Sequence, residues 1–171
     1  MAVGDNENTI GETHSRLDLK LPGRQEQLVE RIAALHKPTV MIMVNGRPVT
    51  INFASKNIPA ILETWYLGEY TGDAIADVLF GNVNPGGKMP LTVYASEDQV
   101  PSQDEYDVTK GFTYMYLNGK PLFPFGHGLS YTKFKYSNLK ISDKSIPPSG
   151  KITVRVNVKN TGKRTKHYFI I

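Results

Sequence analysis

The strongest constraint on the fold of this chain is a continuous apolar run at residues 39–44, which contains Val, Ile and Met but no charged residue. A run of this length without alternating polar residues is typical of a strand that is covered on both faces. In the preceding residues 25–36, apolar side chains recur at helical spacing until Pro38 ends the pattern. The sequence therefore predicts a helix followed by a buried strand.

The same order of patterns occurs again further along the chain. Residues 60–65 are a second strand candidate, and residues 1–3 resemble the end of another strand. An apolar stripe on residues 74–79 predicts a helix, with Thr71 as its N-cap and Gly81 just beyond its C-terminus. Strands and helices that alternate at such short intervals predict an α/β fold with a mostly parallel, helix-covered sheet.

The character of the sequence changes in the second half of the chain. Residues 89–94 predict a short strand, and the residues that follow are rich in Pro, Tyr and Gly without a helical period, as is typical of a connector. Residues 152–158 alternate strictly between apolar and polar, which predicts a strand with one buried face. Residues 168–171 begin another strand pattern, and because two or three strands do not make a stable sandwich, we expect a truncated β-sandwich. The predicted segments are 1–95 (part of the α/β domain), 96–132 (connector) and 133–171 (start of the β-sandwich).

Composition narrows the classes of function. The chain has no Cys, which excludes disulfides and thiolate chemistry, and its net charge of +4 comes from scattered basic residues, so we expect no nucleic-acid partner. No apolar run approaches the roughly 20 residues of a membrane helix, so we expect no membrane partner either. The sequence also lacks a phosphate-binding glycine loop, a serine-nucleophile elbow and paired histidines at metal spacing. We therefore expect no cofactor and no metal.

One polar loop, residues 5–16, is the candidate site. It follows the first predicted strand, and open α/β sheets bind their ligands at the carboxyl ends of strands. The loop carries three carboxylates, Asp5, Glu7 and Glu12, with Arg16 nearby. A loop carboxylate is suited to proton transfer if partial burial raises its pKa. On the residues alone, a solvated acidic loop is the alternative interpretation.

Several long motifs resemble those of family 3 glycoside hydrolases. Trp65, Ala-Ile-Ala-Asp-Val-Leu-Phe-Gly at 74–81 and Asn-Pro-Gly-Gly-Lys-Met-Pro at 84–90 resemble the signature of that family's second domain. Residues 122–132 resemble the segment that leads into the family's fibronectin type III-like domain, and residues 158–164 are similar to an early strand and turn of that domain. The resemblance implies an α/β sandwich domain followed by a fibronectin type III-like β-sandwich, with a (β/α)8-like barrel before both.

The resemblance also implies a reaction. Family members of this type hydrolyse β-linked sugars from the non-reducing end with retention, using an aspartate nucleophile on the barrel and a glutamate acid/base on a loop of the second domain. In many members that loop has Glu, a few variable residues, Asp or Ser followed by Arg, and then Leu-Pro. Glu12, Arg16 and Leu21-Pro22 match this order. Glu12 is therefore the candidate general acid/base, and Glu7 is the rival.

The function that the resemblance implies is that of a portion of a β-glucosidase or β-xylosidase. Its expected partners are an oligosaccharide or β-glycoside substrate and the barrel domain that carries the nucleophile. Without that barrel, we expect this piece alone to be inactive. The sequence itself leaves the compartment open, and only the resemblance implies a periplasmic or secreted protein. The alternative is a non-catalytic structural or carbohydrate-contacting module.

Overall fold

The computed structural model describes residues 1–14, 16 and 18–164. These residues form two compact units. The first comprises Met1–Ala76 and Lys88–His127, and the second comprises Asp77–Gly87 and the chain from Gly128 onward. Each unit has a sheet of its own, parallel in the first and antiparallel in the second.

The first unit contains the predicted parallel sheet. Its strands are β1 (Ala2–Gly4), β2 (Val40–Val44) and β3 (Ala60–Glu63), in the order β1-β2-β3. Both pairs are parallel, with Gly4 opposite Val44 and Met43 opposite Glu63. The α/β class with a parallel sheet is thus confirmed, and the carboxyl ends of the three strands lie at one edge.

Two helices connect these strands, the first between β1 and β2 and the second between β2 and β3, and two more follow β3. They are α1 (Gln25–Ala33), α2 (Asn52–Asn57), α3 (Thr71–Leu79) and α4 (Thr113–Tyr116), with single 3-10 turns at Gly68–Tyr70 and Glu97–Gln99. The predicted helix at 25–36 ends earlier, at Ala33, and His36 adopts a left-handed φ of 52°. Thr71 is the first residue of α3 rather than its N-cap, because the 3-10 turn leads directly into the helix.

The hydrophobic core lies where α1 and α2 pack on one face of the sheet. Val29 of α1 and Ala54 of α2 are buried together with Met41 and Met43 of β2. Ile42, which alternates with these methionines, is only half-buried. The expectation that β2 is covered on both faces therefore holds fully for one face and partly for the other.

The predicted strand at 89–94 is wrong. Pairing in this segment is limited to an isolated bridge between Val93 and Phe123 and to hydrogen bonds between Met89 and the residues near His127. Pro90 has no N–H to donate, so a continuous ladder cannot form across it. The segment is instead held at separate points along the connector.

The second unit contains an antiparallel pair, β4 (Phe134–Ile141) and β5 (Val154–Asn160). β5 confirms the alternating strand, but its predicted buried face is wrong for the described chain, because all of its residues are exposed. Val154, for example, is 58% exposed. The strand pattern at 168–171 lies outside the described residues.

Candidate active site

Polar side chains stand at the carboxyl edge of the parallel sheet. Asp5 follows β1, Asn45 follows β2, and Glu63 is the last residue of β3. The register places these three positions on neighbouring strands at the same edge. This is the edge at which open α/β sheets bind ligands.

Asp5 forms the base of the loop that follows β1. Its side chain is completely buried, and its carboxylate is flanked by two guanidinium groups. Arg16 Nη2 lies 3.3 Å from Oδ1, and Arg47 Nε lies 4.0 Å from Oδ2, which is too far for a hydrogen bond. The Thr9 hydroxyl also donates to Oδ1 at 3.4 Å. A buried carboxylate requires such compensation, so Asp5 belongs to the support of the loop and not to a solvated acidic surface.

Glu7 and Glu12 occupy different parts of this loop. Both are exposed. Glu7 lines a concavity of about 540 Å³ together with Asp5, Asn6, Ile10, Gly11 and Tyr66. Glu12 follows Gly11, which lines the concavity, but Glu12 itself is not a lining residue. It makes no hydrogen bond or ion pair with any described residue. The structure therefore brings Asp5 and Arg16 together and leaves Glu12 exposed.

Arg47 is a residue of the site that the sequence reasoning missed. In the structure, Arg47 Nη2 donates to the backbone carbonyls of Thr9 at 2.7 Å and His14 at 2.9 Å. Its neighbour Gly46 packs so closely on the loop that a Cβ there would lie 2.7 Å from the side chains of Ile10 and Tyr66. The partners of Arg47 are backbone carbonyls far away in sequence, so no pattern in the sequence pointed to it.

Glu63 has a strongly raised pKa at this edge of the sheet. Burial raises its pKa from 4.5 to about 7, although the backbone N–H of Trp65 and the side-chain amide of Asn45 act in the opposite direction. Trp65 holds a left-handed φ of 52°, and its N–H donates to Glu63 Oε1 at 3.3 Å. Asn45 is itself fully buried and donates through Nδ2 to the carbonyl of Arg47 at 2.8 Å. A carboxyl group with its pKa raised to about 7 thus lies at the same edge of the sheet as the loop, two strands away from Asp5.

His127 is a further titratable residue with a shifted pKa, and it packs against an aromatic side chain. Burial lowers the pKa of His127, as does the charge of Lys88, and the imidazole stacks on Phe123 at 5.3 Å between ring centroids. Among the described residues, no group of three or more His, Asp or Glu side chains is placed to hold a metal ion. No helix in the same part of the chain is long and apolar enough to cross a membrane.

Comparison with known proteins identifies the relatives of this chain. The family model of the glycosyl hydrolase family 3 C-terminal domain matches residues 1–131. A β-xylosidase from Formosa agariphila is 47% identical over 96% of this chain and 23% of its own length. A periplasmic β-glucosidase from Salmonella typhimurium is 40% identical over 95% of this chain and 23% of its own length.

Solved structures agree with these relatives. A β-glucosidase from Erythrobacter marinus matches with a TM-score of 0.79 at 41% identity, over 96% of this chain and 23% of that one. A β-glucosidase from Streptomyces venezuelae, solved in complex with D-glucose, matches with a TM-score of 0.81 at 33% identity, over 95% of this chain and 22% of that one. The chain therefore spans about a quarter of the length of these relatives.

The parallel sheet and the likeness of almost the whole chain to β-glucosidases and a β-xylosidase first define the class, which is an α/β domain of the kind found in glycoside hydrolases. The family follows from the match over residues 1–131. The chain belongs to glycosyl hydrolase family 3 and contains that family's C-terminal domain.

Proposed function

We propose that this chain is part of a retaining, exo-acting β-glycosidase for β-linked glucosides or xylosides, and that it supplies Glu12 as the general acid/base. The observation that carries the proposal is that Glu12 is exposed on a loop whose base, Asp5 with Arg16, is buried at the carboxyl edge of the parallel sheet, where open α/β sheets bind ligands. The names of the relatives, β-glucosidase and β-xylosidase, support the substrate class.

The chemistry needs two carboxyl groups about 5–5.5 Å apart. The nucleophile, on the barrel that the family resemblance implies, attacks the anomeric carbon while Glu12 donates its proton to the glycosidic oxygen and the C–O bond breaks. The Glu12 carboxylate then takes a proton from water as the water oxygen attacks the anomeric carbon and displaces the nucleophile. An acid/base that serves a substrate held by another domain has to be exposed on its own domain, and the exposure of Glu12 supports this role.

Glu7 is the alternative acid/base, because it lines the concavity beside Tyr66. The two are separated by testing Glu12→Gln and Glu7→Gln in the full-length protein that contains this chain. We expect Glu12→Gln to lower kcat/KM for a disaccharide by about 10²- to 10⁴-fold, and much less for a dinitrophenyl glycoside, whose leaving group needs little protonation. Glu7→Gln is the matched control.

If Glu7→Gln rather than Glu12→Gln lowered kcat/KM selectively for the disaccharide, Glu7 would be the general acid/base. If neither variant changed the leaving-group dependence, the chain would be a non-catalytic structural or carbohydrate-contacting module.

We also propose the finer features that the resemblance implies. The antiparallel pair β4–β5 would begin a fibronectin type III-like β-sandwich, and the segments 1–95, 96–132 and 133–171 would be the corresponding divisions of the chain. A periplasmic or secreted location is supported by the Salmonella relative, which is named periplasmic. Fractionation of cells that make the full-length protein tests the location.

A further inference from the structure

We infer that Arg47 is the positioning residue for Glu12, and that it acts by fixing the backbone on both sides of that carboxylate. The inference rests on the proposed role of Glu12. It adds a residue from a different part of the chain, the turn after β2, whose side chain reaches no substrate in the mechanism above but governs where the acid/base lies.

Two hydrogen bonds carry the argument. Arg47 Nη2 donates to the carbonyl of Thr9 at 2.7 Å and to the carbonyl of His14 at 2.9 Å. Thr9 precedes Glu12 in the loop and His14 follows it, so one guanidinium nitrogen joins the two limbs of the segment that carries the acid/base. The bonds from a charged donor are also stronger than those between neutral groups.

Arg47 is itself held in place from the sheet. It lies in the turn after the central strand β2, separated from Val44 by Asn45 and Gly46, and its guanidinium group faces the buried carboxylate of Asp5, with Nε 4.0 Å from Oδ2. Asp5 begins the loop, and Arg16, which also faces Asp5, lies at the end of the loop. Arg16 therefore ties the end of the loop to the buried Asp5 carboxylate at its base, and Arg47 ties the backbone on both sides of Glu12 to the turn after β2.

This arrangement suits a catalytic loop because proton transfer depends on position. An error of about 1 Å in a catalytic group can cost about 10²-fold in rate. Glu12 has no side-chain partner among the described residues to hold it, so the backbone of its loop has to supply the accuracy. Of the residues around this loop, Arg47 contacts the backbone on both sides of Glu12.

The chemical nature of arginine is needed for this contact. A lysine would keep the positive charge opposite Asp5, but its ammonium group ends about where the guanidinium carbon lies and falls short of the two carbonyls. Arg47→Lys therefore separates charge compensation from positioning. It also guards against misfolding, because the buried Asp5 keeps a counterion.

The experiment compares Arg47→Lys, Arg47→Gln, Glu12→Gln and the control Arg31→Gln in the full-length protein. Arg31 lies exposed on α1. The measured quantity is kcat/KM, which reports the step that forms the glycosyl-enzyme, for a disaccharide and for a dinitrophenyl glycoside. We expect Arg47→Lys to lower the disaccharide value by about 10- to 100-fold and the dinitrophenyl value by less than about threefold, because only the first needs proton donation.

The KM for the dinitrophenyl glycoside and the thermal midpoint of Arg47→Lys should stay near those of the wild type, and Arg31→Gln should change nothing. If Arg47→Lys lowered kcat/KM equally for both substrates, or for neither, the positioning role would be refuted. The proposed function would still stand as long as Glu12→Gln lowered kcat/KM selectively for the disaccharide. If Glu12→Gln itself showed no selective loss, the proposed function would fail and the role of Arg47 with it.

Discussion

Replacing Glu63 by Gln should make the edge of the sheet more stable at alkaline pH and leave it unchanged at acidic pH. Glu63 has its pKa raised from 4.5 to about 7, mainly because burial disfavours the charged form. Glutamine keeps the shape of the protonated side chain and cannot ionise. The substitution therefore removes the titration with little change in packing.

The direction and size follow from proton linkage. Because the folded state holds this proton more tightly than the unfolded state, its contribution is fully present below about pH 4.5 and is lost as the pH rises through about 7. A pKa raised from 4.5 to about 7 sets an upper limit of about 3 kcal/mol, at 1.36 kcal/mol for each pKa unit. The side chain is only half-buried, so solvent screening reduces the expected effect to about 1–2 kcal/mol.

Hydrogen–deuterium exchange of peptides from β2 and β3 measures this local stability in the full-length protein, where a single global unfolding free energy is poorly defined. At pH 8 we expect about 5- to 30-fold stronger protection in Glu63→Gln than in the wild type, and nearly equal protection at pH 4, where the carboxyl group is protonated in both the folded and the unfolded state. The control is Glu30→Gln on the exposed side of α1. A difference between variant and wild type that is the same at both pH values would refute the reasoning.

Two substitutions test how β1 is attached to the sheet. Gly4→Ala should destabilise this edge by more than about 3 kcal/mol, because Gly4 has a φ of 148° and a Cβ there would lie 1.9 Å from the carbonyl oxygen of Val44. Normal exchange protection of β1 in that variant would contradict this close approach of the two strands. Gln25→Ala should lower the local stability of β1 by about 1–3 kcal/mol, since the Gln25 side-chain amide accepts a hydrogen bond from Gly4 N at 2.7 Å and donates one to Gly4 O at 2.8 Å. The control is Gln27→Ala at an exposed position of the same helix, which should leave the hydrogen exchange of β1 unchanged.

The parts of the fold that could be predicted are those with a local period. The apolar run at 39–44 became β2, and the stripe at 74–79 became α3. α2 was missed because Asn52–Asn57 has only Phe53 and Ala54 as apolar residues, which is too few to show a helical period. Its formation depends on packing in the core beside α1, which no short window of sequence contains.

In the candidate site, too, residues in a local motif could be predicted and residues that act through distant contacts could not. Glu12 and Arg16 could be chosen because they match an ordered motif of the family. Arg47 could not, because its partners Thr9 and His14 are distant in sequence and are backbone carbonyls, which carry no signature of their own. The burial of Asp5 was hidden for a related reason, since it depends on two arginines further along the chain, one at the end of the loop and one after β2.

The central claim, that Glu12 is the general acid/base of a retaining glycosidase, is tested most directly by Glu12→Ala in the full-length protein with added azide. Once the glycosyl-enzyme has formed from a dinitrophenyl glycoside, the variant has no base to activate water, but azide needs none and can attack the anomeric carbon in the space left by the side chain. We predict that azide accelerates turnover of the variant and not of the wild type, and that the product is the β-glycosyl azide. Turnover of Glu12→Ala that matched the wild type, without a glycosyl azide, would contradict the claim.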